Sequence, residues 1–259
     1  MKKEKKKIIL NNKEYTVVDE FIRAYYYYAI IKENNMCYFL KQSTSDDTEY
    51  IKALNKEIEI LELINSNKTP KIIDFVKDKY IIYNYIDGTN LTYINNISLS
   101  DSIMIIISLC RILNEIHNLG YTHNDLKKGN IIVGKDKKIY LIDFGNSTKY
   151  GELPYFGTPN VSSPELILKK PLTNHSDIYS LGVLLHDFID KKELFKTDDV
   201  NILIDLKQKI IPYIETEIDC KKEINDIITK SANPDIDKRY KNVLEMEKDL
   251  TDLIKKINY

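Results

Sequence analysis

Two short motifs, HNDLKKGN at residues 123–130 and IDFG at residues 142–145, constrain the fold of this chain more than any other feature. Together they place two carboxylates, Asp125 and Asp143, and one amide, Asn130, in a short strand-loop-strand segment. Carboxylate and amide oxygens are ligands that Mg²⁺ accepts in proteins. The sequence therefore predicts a segment that can hold Mg²⁺ and orient a hydroxyl group towards a phosphate.

The distribution of glycine divides the chain into two parts. All eight glycines lie at or after residue 88. The part before them is rich in β-branched and aromatic residues separated by polar turns, which is typical of strands. Apolar residues at three- and four-residue spacing predict a single helix within it. The predicted strands cover residues 15–19, 25–31, 36–42, 71–76 and 80–85, and the helix covers residues 47–65.

The part after residue 88 is mainly helical by the same criterion. We therefore predict an α+β fold with two lobes, a strand-rich N-terminal lobe over residues 12–86 and a helical C-terminal lobe over residues 87–257. A hairpin flanking Gly134 lies between the two motifs. Its strands cover residues 131–133 and 139–142, and helices are predicted from residue 103 to about 120 and over residues 176–189, 201–214 (broken), 224–231 and 241–257.

Composition argues against several classes of protein. Apolar residues make up 43% and charged residues 30% of the chain, which is typical of a globular protein. The net charge of −1 gives no field that favours nucleic acid or a membrane surface, and no apolar run reaches the ~20 residues that span a bilayer. Three widely spaced cysteines and the lack of an apolar signal-peptide core favour a cytoplasmic protein. We expect no nucleic-acid or membrane partner, and a solvated, mobile start MKKEKKK.

The paired motifs resemble the catalytic and metal-binding loops of the protein kinase family. The resemblance implies that Asp125 accepts the proton of an acceptor hydroxyl, that Asn130 reaches one Mg²⁺, and that Asp143 binds Mg²⁺ bridging the phosphates of ATP. Lys127 would neutralise the γ-phosphate, and a lysine at this position resembles members directed to Ser and Thr. A DFG tripeptide alone is a weak signal, because Asp and Gly are common in turns. The ordered pair of motifs is a specific one.

The catalytic motif also fits small-molecule phosphotransferases that resemble aminoglycoside and choline kinases, and Gly129 before Asn130 favours that alternative. Three later segments favour a protein kinase instead. GTPNVSSPE at residues 157–165 resembles the end of a kinase activation segment, SDIYSLGVLL at residues 176–185 resembles the following buried helix, and NPDIDKRY lies at residues 233–240. We therefore expect a bilobal protein-kinase-like fold and a protein substrate with a Ser or Thr acceptor.

Single residues in these segments have roles that the resemblance implies. Thr158 matches the threonine that contacts the catalytic Asp in Ser/Thr kinases, and Asp177 would brace the backbone of the catalytic loop. Arg239 would pair with Glu165, because a buried carboxylate needs a partner and arginine supplies two donors. His123 would be a packed, hydrogen-bonded residue and not a general base.

A lysine on the third strand and a glutamate on the following helix are expected to grip the α- and β-phosphates. Lys41 in CYFLK is the favoured lysine, and Lys32 in AIIK is the competing candidate, which lies far upstream of the helix. Glu57 is the favoured glutamate, on the helix face that carries Leu54, while Glu59 points to another face.

The expected glycine-rich nucleotide loop, at residues 21–28, has the sequence FIRAYYYY and contains no glycine. Glycine there lets backbone N–H groups approach a phosphate closely, so side chains must occupy that space here. Two interpretations stay open. The tyrosines alternate along a half-buried strand, or one or two of them fold over the nucleotide as a lid.

Phe39 and Tyr83 also predict an unusual nucleotide pocket. Phe39 lies where the family usually has a small residue against adenine, and Tyr83 lies at the gatekeeper position. The backbone of the linker at residues 84–86 would hydrogen-bond adenine. By the resemblance, the residues that bind the nucleotide are Lys41, Glu57, Asn84, Ile86, Ile132 and Asp143.

Asn124 occupies the position at which many regulated kinases have an arginine that binds a phosphate on the activation segment. We therefore predict an enzyme that is constitutively competent or is controlled by a regulatory protein partner. The leading hypothesis is an ATP-dependent Ser/Thr protein kinase that uses Mg²⁺. The alternatives are a pseudokinase that acts as a binding module, favoured by the glycine-free loop and Phe39, and a small-molecule kinase of related fold.

Overall fold

The computed structural model describes residues 6–154 and 157–257. The chain divides into two units between Asp87 and Gly88, where the sequence places the junction of the two lobes.

An antiparallel sheet of six strands and one helix form the first unit. Its elements are β1 (Lys7–Leu10), β2 (Lys13–Arg23), β3 (Tyr26–Glu33), β4 (Met36–Ser43), α1 (Thr48–Leu63), β5 (Ile72–Val76) and β6 (Tyr80–Asn84). The strand order across the sheet is β1-β2-β3-β4-β6-β5. The five predicted strands and the predicted helix are all present, with β2 and β3 longer than expected.

The sixth strand, β1, is a correction to the prediction of a mobile N-terminus. Asn11 and Asn12 both have positive φ, 45° and 62°, and they connect β1 to β2 with Leu10 paired to Lys13. Two left-handed residues are what a tight hairpin turn requires, and Asn tolerates them. This hairpin was not predicted because the lysines before Ile8 favoured a solvated segment. The expectation of a mobile start still concerns residues 1–5, which lie outside the described residues.

The sheet presents two different faces because side chains alternate along each strand. One face carries an apolar cluster that is buried within the first unit, made of Tyr15, Val17, Ala29, Ile31, Leu40, Tyr80 and Ile82. The other face carries Lys41, and α1 reaches it through Glu57. Asp47 caps the start of α1 by accepting a hydrogen bond from the backbone N–H of Glu49. This cap fixes where the helix that carries Glu57 begins.

The second unit is mainly helical, as predicted. Its elements are β7 (Gly88–Asn90), α2 (Leu99–Asn118), β8 (Tyr121–Thr122), β9 (Ile131–Gly134), β10 (Ile139–Leu141), β11 (Thr148–Lys149), α3 (Pro164–Ile167), α4 (Asn174–Asp190), α5 (Val200–Lys209), α6 (Lys221–Ser231) and α7 (Val243–Ile257). The broken stretch predicted over residues 201–214 is α5 followed by extended chain. Among the described residues, no helix combines the length and apolar character that a membrane span requires.

A buried helix and a small sheet position the two motifs. Thirteen of the seventeen residues of α4 are buried, so that it forms the centre of the unit. The predicted hairpin is β9 and β10, and β7 adds to its edge in the order β10-β9-β7. At Gly88 a Cβ would lie 2.5 Å from the carbonyl oxygen of Val133, so only glycine lets β7 approach β9 this closely. HNDLKKGN lies between β8 and β9, and IDFG begins directly after β10.

Candidate active site

Asp177 of α4 fixes the backbone of the loop that leads to Asp125. Its fully buried carboxylate accepts hydrogen bonds from the backbone N–H groups of His123 (2.8 Å) and Asn124 (2.9 Å). It also lies 2.9 Å from Nε2 of His117. Burial alone would raise the pKa of the Asp177 carboxyl, but the hydrogen bond and charge of His117 outweigh burial and lower it. The predicted brace of the catalytic loop is confirmed.

Asp125 is the centre of a network of four side chains. Its Oδ1 accepts a hydrogen bond from Thr158 Oγ1 (2.6 Å), and its Oδ2 accepts hydrogen bonds from Lys127 Nζ (2.6 Å) and Asn130 Nδ2 (2.8 Å). Lys127 Nζ also donates to Thr158 Oγ1 at 2.9 Å. The predicted contact of Thr158 with Asp125 is therefore confirmed. The network holds a buried carboxylate in one orientation beside a half-buried ammonium group.

The donor set of Asn130 and Asp143 fits Mg²⁺. Asn130 Nδ2 donates to both the backbone oxygen and Oδ2 of Asp125, so the amide oxygen Oδ1 faces away from these bonds. The backbone N–H of Ile142 donates to the carbonyl of Asn130 at 2.9 Å, which brings Asp143 close to Asn130. Among the described residues, no group of three or more His, Cys, Asp or Glu side chains forms a metal cluster. Mg²⁺ in kinase-type sites needs only one or two protein oxygens together with phosphates.

His123 has the packing role that was predicted. Its ring lies edge-on to Phe144, with ring centroids 4.9 Å apart. Nδ1 accepts a hydrogen bond from the backbone N–H of Asp125 (3.3 Å), and Nε2 lies 3.3 Å from the carbonyl oxygen of Ile142. Burial lowers the pKa of His123, which favours the neutral ring. A neutral histidine with both nitrogens occupied links the two motifs structurally.

Asn124 is bonded to the chain that follows IDFG. Its φ is 66°, and its Nδ2 donates to the carbonyl of Asn146 (3.1 Å) and to Oγ1 of Thr148 (2.8 Å). Asn124 therefore ties the catalytic loop to β11 with neutral hydrogen bonds. An arginine at this position would need an anion on the activation segment, but Asn124 does not.

Glu165 and Arg239 form the predicted pair. Arg239 Nη1 donates to Oε1 at 2.7 Å and Nη2 to Oε2 at 3.1 Å, and the arginine side chain is fully buried. The arginine also donates to the backbone oxygens of Asn233, His175 and Pro234. Burial would raise the pKa of the Glu165 carboxyl, but the hydrogen bonds and charge of Arg239 outweigh burial and lower it. The pair connects the end of residues 157–165 to the chain before α7.

Lys41 and Glu57 form the predicted pair in the first unit. Lys41 Nζ donates to Glu57 Oε2 at 2.6 Å, and both side chains are buried. Of the competing candidates, Lys32 lies on β3 opposite Cys37, and the exposed Glu59 pairs with the half-buried Lys56. The structure therefore selects Lys41 and Glu57.

Residues 21–28 form a β-hairpin with a tight turn at Ala24, whose φ is 52°. Tyr25 stacks on Tyr50 with ring centroids 3.9 Å apart. Tyr26 is buried, and its hydroxyl donates to the carbonyl oxygen of Tyr50 at 2.6 Å. Tyr26 packs inside the first unit, and the exposed ring of Tyr25 is held against Tyr50, which favours the strand interpretation over a mobile aromatic lid.

A row of aromatic rings lies beside Lys41 on the same face of the sheet. Tyr28 is opposite Lys41 across β3 and β4, and Phe39 is opposite Tyr83 across β4 and β6. The ring of Phe39 lies 5.9 Å from that of Tyr28 and 6.4 Å from that of Tyr83. Phe39 is thus flanked by rings on both sides, which fits the prediction that this part of the nucleotide pocket is narrow.

The remaining predicted nucleotide residues lie at the ends of strands. Asn84 ends β6, where its backbone N–H donates to the carbonyl of Lys71 and its side-chain oxygen accepts from the backbone N–H of Lys71. An adenine base could therefore use the carbonyl of Asn84 but not its N–H. Ile86 is half-buried two residues further on, and Ile132 is a half-buried residue of β9 opposite Tyr140.

A curled antiparallel sheet with one helix, followed by a helical part around one buried helix, is the fold of a protein kinase. The family model described as "Protein kinase domain" matches residues 24–257. The chain belongs to this family.

Curated relatives are serine/threonine-protein kinases. Serine/threonine-protein kinase PknB of Mycolicibacterium smegmatis is 27% identical over 185 residues, which cover 66% of this chain and 30% of that protein. A probable serine/threonine-protein kinase PknB of Lactococcus lactis is 28% identical, with 68% and 30% covered. Serine/threonine-protein kinase Nek1 of Mus musculus is 29% identical, with 64% and 16% covered. The chain thus matches a third or less of the length of these relatives.

The sequence motifs missed one residue beside this site. Lys207 of α5 is fully buried and donates hydrogen bonds to backbone carbonyls of residues 157–165. A lysine in a short amphipathic helix is usually expected to lie on the exposed, polar face. The signal that could have found it is helical spacing, because Lys207 lies four residues after the buried Leu203 and so on the same face, whereas Lys209 is exposed.

Proposed function

We propose that this chain is an ATP-dependent serine/threonine protein kinase that uses Mg²⁺ and transfers the γ-phosphate of ATP to hydroxyl groups of proteins. The observation that supports it most strongly is the network of Thr158, Lys127 and Asn130 around Asp125. A catalytic group must be held in position before it can assist the reaction. Three side chains, two from the loop of Asp125 itself and one from residues 157–165, meet at this carboxylate and hold it in position.

Asp125 accepts the proton of the acceptor hydroxyl, and the oxygen of that hydroxyl attacks the γ-phosphorus as the bond to the β-phosphate oxygen breaks. Lys127, bonded to Asp125 and Thr158, offsets charge on the γ-phosphate. Asn130 and Asp143 would hold Mg²⁺ through their oxygen atoms, and the bound metal would offset charge on the phosphates. Lys41, oriented by Glu57, binds the α- and β-phosphates.

A pseudokinase that acts as a binding module is the second candidate. The glycine-free hairpin and the aromatic row at Phe39 favour it, because both leave less room for a nucleotide. The intact pair of Lys41 with Glu57 and the intact network at Asp125 favour catalysis. A small-molecule kinase is disfavoured by family membership and by the Glu165–Arg239 pair, which belongs to the protein kinase pattern.

Labelled ATP tests the proposal. The full chain is incubated with Mg²⁺, [γ-³²P]ATP and a mixture of protein substrates, beside Asp125→Asn and Asp143→Asn. We expect transfer to protein by the wild type only. Absence of transfer, together with no change in melting temperature on addition of Mg²⁺ and ATP, would support the pseudokinase. Transfer to an aminoglycoside or choline but not to protein would support the small-molecule kinase.

Regulation should not depend on phosphorylation of residues 146–162. Asn124 already ties the start of this segment to the catalytic loop by neutral hydrogen bonds, so no phosphate is needed there. We expect protein treated with phosphatase to keep its transfer activity. A phosphosite found in the segment by mass spectrometry, other than Thr158, whose alanine variant lost activity, would contradict this.

A further inference from the structure

Lys207 is a fully buried lysine whose ammonium group is held by backbone and aromatic rings. Its Nζ donates to the carbonyl oxygens of Asn160 at 2.9 Å and Ser162 at 2.8 Å. The ring centroids of Phe195 and Tyr179 lie 4.1 Å and 5.2 Å from Nζ. A cation over an aromatic face is favourable, most of all when water is excluded.

Lys207 has an unusual environment for a buried cation. Among the described residues it takes part in no ion pair, and Asp187 and Glu165 are the acidic groups whose charge acts on it without contact. Around it lies an apolar cluster that includes Val161 and Leu203. Burying a lysine without a carboxylate partner is unfavourable unless hydrogen bonds compensate for the lost water. The two carbonyls are therefore the reason for a lysine here.

The two carbonyls belong to a turn that contacts the catalytic loop. The carbonyl of Thr158 accepts hydrogen bonds from the N–H groups of Val161 (3.2 Å) and Ser162 (3.1 Å) and from Ser162 Oγ (2.7 Å). These bonds close the turn at residues 158–162. The side chain of Thr158 donates to Asp125, while Lys207 holds the other side of the turn. Lys207 thus contacts the turn that carries Thr158 and does not touch Asp125.

We propose that Lys207 is a positioning residue that sets the shape of the turn at residues 158–162 for productive binding of the protein substrate. Thr158 covers one side of Asp125, so a polypeptide whose hydroxyl reaches Asp125 must pass beside this turn. The inference rests on the proposed protein kinase function. It assigns Lys207 to binding of the protein substrate and not to binding of ATP.

The protonation of Lys207 changes its charge but not its ability to hold the turn. Burial lowers the pKa of Lys207 to about 7, against the weaker opposing charges of Asp187 and Glu165. The neutral amine still has two N–H bonds, one for each carbonyl. Lys207→Gln, with a neutral NH₂ group, is therefore the variant that keeps donors, and Lys207→Met is the variant that removes them.

This pKa predicts how stability changes with pH. Between pH 7 and the ordinary lysine value, the unfolded chain binds a proton at Lys207 that the folded chain does not. The contribution of Lys207 to stability therefore rises with pH in this window. From pH 7 to pH 9, we expect the free energy of unfolding of the wild type to rise relative to that of Lys207→Met. A difference that stayed constant or fell would contradict the buried, unpaired lysine.

The positioning role is tested by kinetics with three variants of the full chain. Lys207→Met should raise KM for the protein substrate about 10-fold, the size expected for lost hydrogen bonds. KM for ATP and the rate of ATP hydrolysis without protein should change less than about twofold, since neither needs the turn. In Lys207→Gln the rise in KM for the protein substrate should be at most half of that in Lys207→Met. Lys209→Met, on the exposed side of the same helix, is the matched control and should behave as the wild type.

Hydrogen exchange separates failure of this inference from failure of the proposed function. In Lys207→Met the amides of Val161 and Ser162 should exchange faster, while those of His123 and Asn124, held by Asp177, should not change. This result does not require an active enzyme. Unchanged exchange at Val161 and Ser162, or a fall in ATP hydrolysis as large as the change in KM for protein, would overturn the positioning role.

Discussion

Asp125→Asn should lower the rate of phosphate transfer by about 10²- to 10⁴-fold, the usual contribution of a positioned general base. The amide that replaces the carboxylate cannot accept the proton of the acceptor hydroxyl. It also weakens the bond to Lys127, whose Nζ lies 2.6 Å from Oδ2. Binding of Mg²⁺ and ATP should persist, because Asp143 and Lys41 are unchanged. The measurement is the initial rate of transfer from labelled ATP, with ATP affinity measured on the same samples.

Asp252→Asn is the control for this experiment. Asp252 is an exposed residue of α7 that pairs with the nearby Lys255, so its loss should leave the rate unchanged. If Asp125→Asn transferred phosphate at the rate of the wild type, Asp125 would not be the base. If it lost ATP affinity as well, the network would act on nucleotide binding and not on the acceptor hydroxyl.

Arg239→Met should lower the free energy of unfolding by about 3–5 kcal/mol, the usual loss when one partner of a buried ion pair is removed. The variant leaves Glu165 with one remaining side-chain partner, Ser176, whose hydroxyl lies 2.9 Å away. It also removes donors from the carbonyls of Asn233 and His175. Denaturant unfolding at neutral pH, followed by circular dichroism, measures the loss.

Acid should reduce this loss. In the wild type, Arg239 lowers the pKa of Glu165, so the pair stabilises the fold above the ordinary glutamate pKa and this contribution disappears as pH falls through the lowered value. In Arg239→Met, burial raises the pKa of Glu165, and a protonated carboxyl is tolerated better. Glu223→Gln, at an exposed pair with Lys256, is the matched control and should leave the free energy of unfolding nearly unchanged. An equal loss of unfolding free energy in Arg239→Met and Glu223→Gln would show that the buried pair stabilises the fold no more than an exposed pair does.

The contacts at Asp125 were predictable because they link residues at fixed spacing in recognisable motifs. Thr158 and Asp177 lie far from Asp125 in sequence, yet their segments resembled the family closely enough to assign their partners. The Lys41–Glu57 pair was predictable because the resemblance implied a lysine on the third strand and a glutamate on the following helix. Strand order then favoured Lys41 over Lys32, and the helix face favoured Glu57 over Glu59.

The sequence could not show which groups bind the polar ends of long side chains. Lys207 lies four residues after Leu203 on the buried face of α5, but the carbonyls and the ring of Phe195 that hold its ammonium group come from other parts of the chain. The strand β1 was missed because lysines surround a run of only three apolar residues. The pair Asn11-Asn12, which favours a tight hairpin turn, was the signal that could have found it.

The glycine-free hairpin is the part of the kinase fold that this chain builds differently. Its tyrosines pack on one another and on Tyr50, where a glycine-rich loop would leave backbone exposed. The hairpin is therefore stiffened by packing between its side chains. This arrangement is the reason that nucleotide affinity and transfer need to be measured separately.

Identification of the phosphorylated amino acid tests the central claim most directly. The wild type is incubated with Mg²⁺, labelled ATP and protein, and the labelled product is hydrolysed in acid and separated into phosphoserine, phosphothreonine and phosphotyrosine. The network of Lys127 and Thr158 at Asp125 predicts label in phosphoserine or phosphothreonine, and none in Asp143→Asn. Label only in phosphotyrosine, or equal label with Asp143→Asn, would contradict a serine/threonine kinase built around Asp125 and Asp143.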